Sequence, residues 1–177
     1  GYKVVTTLNY EAQKAAVDSV TAKLGTGGKS NAAVFSFSPI TGEIYVYVGG
    51  KNYGKSQYDR ITQAIRPPGS AFKPFVYAAA IEKGWGPNDY LADTPVNING
   101  WKPHNYGNRY RGQMPLFAGL MLSSNVMAAR LIQEVGVRSV IGIARSLGIT
   151  TPLEYDMTIA LGSNGVKLYE MTVAYGA

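Results

Sequence analysis

Apolar positions along the chain fall into two kinds of run, one of period two and one of helical spacing, with turn residues between them. Tyr2 to Leu8 is rich in β-branched residues and reads as a short strand. Asn9 then stands as an N-cap before a predicted helix from Tyr10 to Leu24, with Ala12, Ala16 and Val20 on one face. Ala32 to Ser38 and Glu43 to Val48 alternate, and Pro39-Ile40-Thr41-Gly42 between them has the composition of a turn, so the pair reads as a β-hairpin. Its buried face takes Ala33, Phe35 and Phe37 from one strand and Ile44, Val46 and Val48 from the other.

Phe75 to Ile81 is apolar on every side of a helical wheel, which predicts a helix enclosed by the rest of its domain. It closes at Glu82-Lys83-Gly84 with a cation in the last turn and a glycine at the cap. Trp85 to Met114 is rich in Pro, Asn and Gly and reads as mostly irregular; so long a stretch inside a compact domain points to function. Helical patterns return at Pro115 to Leu122, at Val126 to Val135 closed by Gly136, and at Val137 to Leu147 closed by Gly148. A last interrupted helix carries Leu168, Met171, Ala174 and Tyr175. The chain starts at Gly1 and stops within that apolar pattern, so residues 1–177 are expected to be a fragment of a longer chain.

Composition narrows the chemistry. With no cysteine, disulfides, thiolate nucleophiles and sulfur-ligated metals are excluded. The one histidine, His104, lies in a stretch that reads as an exposed loop, so a general base here is expected to be something other than histidine. The formal net charge of +6 is scattered without a Lys or Arg run, which does not single out a nucleic-acid surface. Gly25-Thr26-Gly27-Gly28-Lys29-Ser30 invites comparison with a phosphate-binding loop. It has Lys23 where the first glycine of that pattern belongs, and it follows a helix where the pattern follows a strand; it reads as a turn.

The chemistry concentrates in Arg66-Pro-Pro-Gly-Ser-Ala-Phe-Lys-Pro-Phe75. Ser70 and Lys73, three apart on a helix, can be hydrogen-bonding neighbours. Lysine deprotonates serine only if its own pKa falls from about 10.4 toward 7, which takes burial or a second cation. Phe72, Phe75 and Val76 can supply burial; no second cation is evident. Pro67-Pro68-Gly69 stiffens the approach and leaves Ser70 near a helix N-terminus, where backbone N–H groups can stabilise an oxyanion. Taken alone, Ser70 can equally be an N-cap, and an S-x-x-K match arises by chance about once in such a length. Ser123-Ser124-Asn125 taken alone is likewise a helix cap. The pairing of Ser70-x-x-Lys73 with Ser123-x-Asn125 changes that, because together they form two elements of a known catalytic set.

At these residues the chain resembles the transpeptidase domain of class A penicillin-binding proteins, in its N-terminal and central part. Val5-Thr6-Thr7-Leu8, Thr41-Gly42-Glu43 through Gly49-Gly50, the Gly69-Ser-x-Phe-Lys-Pro74 block, Asn105-Tyr106, Tyr110-Arg111-Gly112 and Ala160-Leu161-Gly162 carry the likeness. The resemblance implies an α+β fold of the serine β-lactamase and penicillin-binding type, an antiparallel sheet packed against helices with a helical subregion. The sheet is expected to begin with strands at 2–8, 32–38 and 43–48. It implies acyl transfer from D-Ala-D-Ala stem peptides to a neighbouring stem amine, with Ser70 as nucleophile, Lys73 as base, Ser123 as proton relay and Asn125 as donor to the substrate backbone. β-Lactams would trap Ser70. No cofactor and no metal are implied, and the partners are peptidoglycan stem peptides and β-lactams, with no nucleic acid. The place of action is the outer face of the bacterial cytoplasmic membrane, through an anchor outside these residues, and a glycosyltransferase domain precedes the transpeptidase in the family. No Lys-Thr-Gly or Lys-Ser-Gly occurs; in the family that third motif follows the region where this chain ends, and its strand forms one wall of the cleft and brings a cation near the Ser-x-Asn element. These 177 residues alone are therefore expected to acylate poorly. A D,D-carboxypeptidase, a β-lactamase, a β-lactam sensor and a non-catalytic module of the same fold remain alternatives.

Overall fold

The computed structural model describes residues 1–25 and 28–177; Thr26 and Gly27 of the glycine-rich turn lie outside the described residues. The chain divides into two compact units, one of Gly1–Arg66, Leu147–Ile149 and Val166–Ala177, the other of Pro67–Ser146 and Thr150–Gly165.

In the first unit, helix α1 (Tyr10–Leu24) starts where expected: Asn9 is extended and its side chain accepts the Ala12 N–H at 2.9 Å. The hairpin is β1 (Val34–Phe37) and β2 (Ile44–Val48), antiparallel, with Val34 opposite Val48 and Ser36 opposite Val46. One feature of it departs from the alternation. The register shifts at Ser36–Phe37, leaving β2 one residue longer there, so Phe37 pairs with Ile44. Ile44 therefore does not share a face with Val46 and Val48, and both faces of the hairpin are covered. Phe35 stacks with Phe37 and meets Tyr47 edge-on and Tyr169, at 6.0, 5.9 and 5.5 Å. Tyr169 belongs to α6 (Leu168–Tyr175). Gln13 closes the open edge of β2, its side-chain amide pairing with both the N–H and the carbonyl of Tyr47 at 2.8 and 3.0 Å.

The strand expected at Tyr2–Leu8 does not form. These residues are exposed and, among the described residues, join no ladder; the Thr7 hydroxyl donates to the Ile44 carbonyl and the Asn9 N–H to the Tyr45 carbonyl of β2. β-Branched residues favour a strand only where a partner supplies the ladder. A short pair, β3 (Ile65–Arg66) with β6 (Val166–Lys167), completes the first unit.

The second unit is built around α2 (Lys73–Glu82), whose Phe75, Val76, Ala79 and Ala80 are buried as its all-round apolar pattern requires. Against it pack α4 (Asn125–Val135), with Val126, Met127 and Leu131 fully buried, and α5 (Val137–Ser146), with Val140 and Ala144 fully buried. Gly136 and Gly148 end the two helices at φ of 83° and 102°, conformations that favour glycine. The stretch from Trp85 to Met114 is less irregular than expected: β4 (Tyr90–Asp93) pairs antiparallel with β5 (Gly112–Pro115), leading into α3 (Leu116–Met121). That ladder joins residues about twenty apart, a pairing that local composition does not reveal. The α+β class holds, and among the described residues the antiparallel pairs are spread over three two-stranded ladders.

Helices α2 and α4 run side by side in the same direction. Lys73 at the start of α2 reaches the start of α4, and Lys83 beyond the end of α2 donates to the Val135 carbonyl at the end of α4. Both positive helix ends therefore lie on the same side of the second unit. Among the described residues no helix is long and apolar enough to cross a membrane.

Candidate active site

All four residues singled out from the sequence lie in the second unit, and three of them meet directly. Lys73 opens α2 and is 1% exposed. Its Nζ donates to the Ser123 carbonyl at 2.6 Å, to Ser123 Oγ at 3.0 Å and to Asn125 Oδ1 at 2.6 Å. Phe72 and Phe75, with ring centroids 4.8 Å apart, and Val76 enclose the region as expected. Burial lowers the Lys73 pKa to about 8, through the loss of hydration around the ammonium.

Ser70 sits in a 3-10 turn, Gly69–Phe72, immediately before α2. It is exposed, and its side chain caps neither the turn nor α2. The N-cap reading of Ser70 therefore fails. So does the expected direct bond to Lys73: among the described residues no hydrogen bond joins the Ser70 hydroxyl to the amine, whose three donors are all taken by Ser123 and Asn125. A charged lysine offers three N–H groups to three acceptors, whereas the neutral amine has two and a lone pair. Two of the acceptors are carbonyl oxygens, which can only accept. On deprotonation the hydroxyl bond is the one that must reverse or break, leaving the lone pair open to the O–H of Ser123 or Ser70.

The turn before Ser70 is held by a backbone contact. Gly69 N–H donates to the Gly162 carbonyl at 3.2 Å, with Gly69 at φ 56° and Gly162 at φ 70°. Ser123 also has a positive φ, 55°, uncommon outside glycine and costly when held in place. It stands in the break between α3 and α4, and this backbone places its carbonyl and hydroxyl on the same amine.

The capping reading of Ser123-Ser124-Asn125 is right for the middle residue. Ser124 caps α4, its Oγ accepting the Met127 N–H at 3.1 Å. Two residues to which the sequence assigned no role, one of them in the Asn105-Tyr106 stretch of the resemblance, complete this end of the helix. Asn105 Oδ1 accepts the N–H groups of Asn125 and Val126 at 2.9 and 3.2 Å, and the Asn105 amide donates to the fully buried Asp93 at 2.6 Å. Ser124 Oγ also donates to Asp93 at 2.7 Å. Tyr77 of α2 has a buried hydroxyl with no hydrogen-bond partner among the described residues, and burial followed by the charge of Asp93 raises its pKa. His104 is exposed, as expected of a loop histidine, and contributes its carbonyl, which accepts from Asn125 Nδ2 at 2.9 Å.

Ser70, Ser123 and Asn125 line one cavity of about 360 Å³, together with Arg109 and Arg111 and, among the described residues, no acidic one. A hydroxyl without a structural task thus faces the same space as a hydroxyl bound to a buried amine of lowered pKa.

Comparison with known proteins gives this arrangement a family. Residues 32–174 match the penicillin binding protein transpeptidase domain. The chain is 36% identical over 151 residues to penicillin-binding protein 1A of Rickettsia felis, covering 82% of this chain and 19% of that protein. It is 32% identical over 182 residues to penicillin-binding protein 2D of Bacillus subtilis, covering 99% of this chain and 26% of that one. It thus spans about a fifth to a quarter of these relatives. Among solved structures, the PonA1 protein from Mycobacterium tuberculosis in complex with penicillin V superposes with a TM-score of 0.88 at 27% identity, covering 98% of this chain and 50% of that one. Penicillin-Binding Protein 1A from Haemophilus influenzae superposes at 0.78 with 36% identity, over 82% of this chain and 23% of that one. With the S-x-x-K and S-x-N elements meeting at one amine, the chain belongs to the penicillin-binding protein transpeptidase domain family.

Proposed function

We propose that residues 1–177 are part of a peptidoglycan D,D-transpeptidase domain that transfers an acyl group from a D-Ala-D-Ala stem peptide, through Ser70, to the amine of a neighbouring stem. The observation that carries this is the Lys73 amine, buried, lowered to a pKa of about 8 and bound to Ser123, which shares a cavity with the exposed Ser70, whose hydroxyl caps neither the turn nor α2 among the described residues.

In the acylation step, neutral Lys73 takes the Ser70 proton as Oγ bonds to the carbonyl carbon of the penultimate D-Ala. The C–N bond to the terminal D-Ala breaks, and the leaving nitrogen takes a proton from Ser123 Oγ, which Lys73 replenishes. In the second step an acceptor amine attacks the ester carbonyl and gives up one proton along the same relay. The ester C–O bond breaks and Ser70 recovers its hydrogen. Asn125, whose Oδ1 faces Lys73, also meets the substrate backbone. Arg109 and Arg111, with no acid on the cavity lining, suit a substrate that ends in a carboxylate.

In this reading β-lactams acylate Ser70, and the reaction takes place on the outer face of the bacterial cytoplasmic membrane. The test is product analysis with the full-length polypeptide carrying this chain, given a peptide ending in D-Ala-D-Ala with and without an amine acceptor. Free D-Ala together with an acceptor-linked peptide is the expected result. Hydrolysed peptide alone identifies a carboxypeptidase, and rapid repeated turnover of a β-lactam identifies a β-lactamase.

A further inference from the structure

Asp93, at the end of β4, is fully buried and has no cationic side chain in ion-pair contact among the described residues. A carboxylate in that position is strongly unfavourable unless hydrogen bonds and dipoles hold it. Three donors do so: Asn105 Nδ2 at 2.6 Å and Ser124 Oγ at 2.7 Å on one oxygen, and the Arg111 N–H at 3.0 Å on the other. Two of these partners pass the interaction on. Asn105 Oδ1 accepts the first two N–H groups of α4, and Ser124 Oγ accepts the third. The negative charge is thereby coupled, one hydrogen bond removed, to the positive end of the α4 dipole.

The position of this bracket gives it more than a capping role. Ser124 is flanked by Ser123 and Asn125, the two residues that supply every acceptor of the Lys73 amine. The loop that carries Asn105 also fixes the Asn125 amide, because the His104 carbonyl takes its Nδ2 and so leaves Oδ1 facing the lysine. Three segments that share no local sequence pattern, the loop at Asn105, Arg111 just before β5 and Ser124 at the start of α4, converge on one carboxylate carried by β4.

We propose that Asp93 is a positioning residue for the proton relay: with Asn105 and Ser124 it sets the distance of Ser123 Oγ and Asn125 Oδ1 from the Lys73 amine. The inference rests on the transpeptidase reading above. An asparagine at 93 presents an N–H where the bracket needs an acceptor, against either the Arg111 N–H or the Asn105 and Ser124 donors, and it weakens the pairing with the α4 dipole.

The test is Asp93→Asn in the full-length polypeptide, with a chromogenic β-lactam as probe. Sites are first counted by adduct mass after long exposure, and the rate is then expressed per titratable site. A relay displaced by a fraction of an ångström is expected to lower the limiting acylation rate per site by about 30-fold, with the half-saturating β-lactam concentration changed less than about 3-fold. Ser124→Ala, which removes one arm of the bracket while keeping the charge, is expected to lower the same rate by about 10-fold. Unchanged rates per site, with only fewer sites or a lower melting temperature, would make the bracket purely structural and overturn the proposal. If Asp93→Asn does not fold, the Ser124→Ala rate decides. A wild-type protein that forms no adduct refutes the transpeptidase reading itself, an outcome distinct from the others.

Discussion

Replacing Lys73 with methionine is expected to slow β-lactam acylation about a thousandfold while leaving the protein folded. Methionine is unbranched and apolar, so it fills the channel beside Phe72 and Phe75 and removes only the amine. The acceptors it abandons can turn to solvent, since Ser123 is exposed and Asn125 half-buried. Circular dichroism with fluorescent-penicillin kinetics separates loss of the base from loss of the fold. The wild-type rate should rise as pH passes through about 8, where Lys73 loses its proton, and the variant should lack that inflection. Stability shifts in a linked way. The unfolded lysine titrates near 10.5, so between about pH 8 and 10.5 the unfolded chain binds a proton that the native state has released. Folding therefore gains stability as pH rises through that window, and below it the native state carries the full cost of the buried ammonium.

Gly162→Ala is expected to cost about 2–5 kcal/mol, the sum of a left-handed backbone penalty and a backbone clash. A Cβ at this position would lie 2.1 Å from the Gly69 carbonyl oxygen and 2.5 Å from its nitrogen, and neither is the movable end of a side chain. Relief requires the Gly69 turn to shift, and Ser70 moves with it, so the surviving folded fraction should acylate about 100-fold more slowly. Gly42→Ala is the control. Its φ is 76°, but no atom lies within 4 Å of the place its methyl group would take, so it should cost only about 1–2 kcal/mol. Urea unfolding of both variants measures the difference, which is the cost of the methyl group's clash with the Gly69 backbone.

What can be read from the sequence is local. Asn9 announces α1 because a cap acts within three residues, and Gly136 and Gly148 announce the ends of α4 and α5 because a left-handed residue stops a helix where it stands. The hairpin is visible in its alternation, though not the bulge that turns Ile44 away from Val46. Ser70 and Lys73 can be chosen by their spacing on one chain segment, and Ser123 and Asn125 by their resemblance to a second motif. The meeting of Lys73 with Ser123 in place of Ser70 is not legible, because it depends on the parallel run of α2 and α4. Asp93 and Asn105 lie in a stretch that reads as irregular, and each gains its role from partners 12 to 31 residues away. Tyr2 to Leu8 has the composition of a strand and no partner to make it one.

The central claim is that Ser70 is the nucleophile and the Lys73–Ser123–Asn125 cluster serves it. Peptide mapping by mass spectrometry after brief exposure of the full-length polypeptide to penicillin tests this most directly. One penicilloyl adduct per chain, on the peptide that contains Ser70 and absent from the Ser70→Ala variant, is the predicted result; an adduct on Ser123, or none on a folded protein, would contradict it.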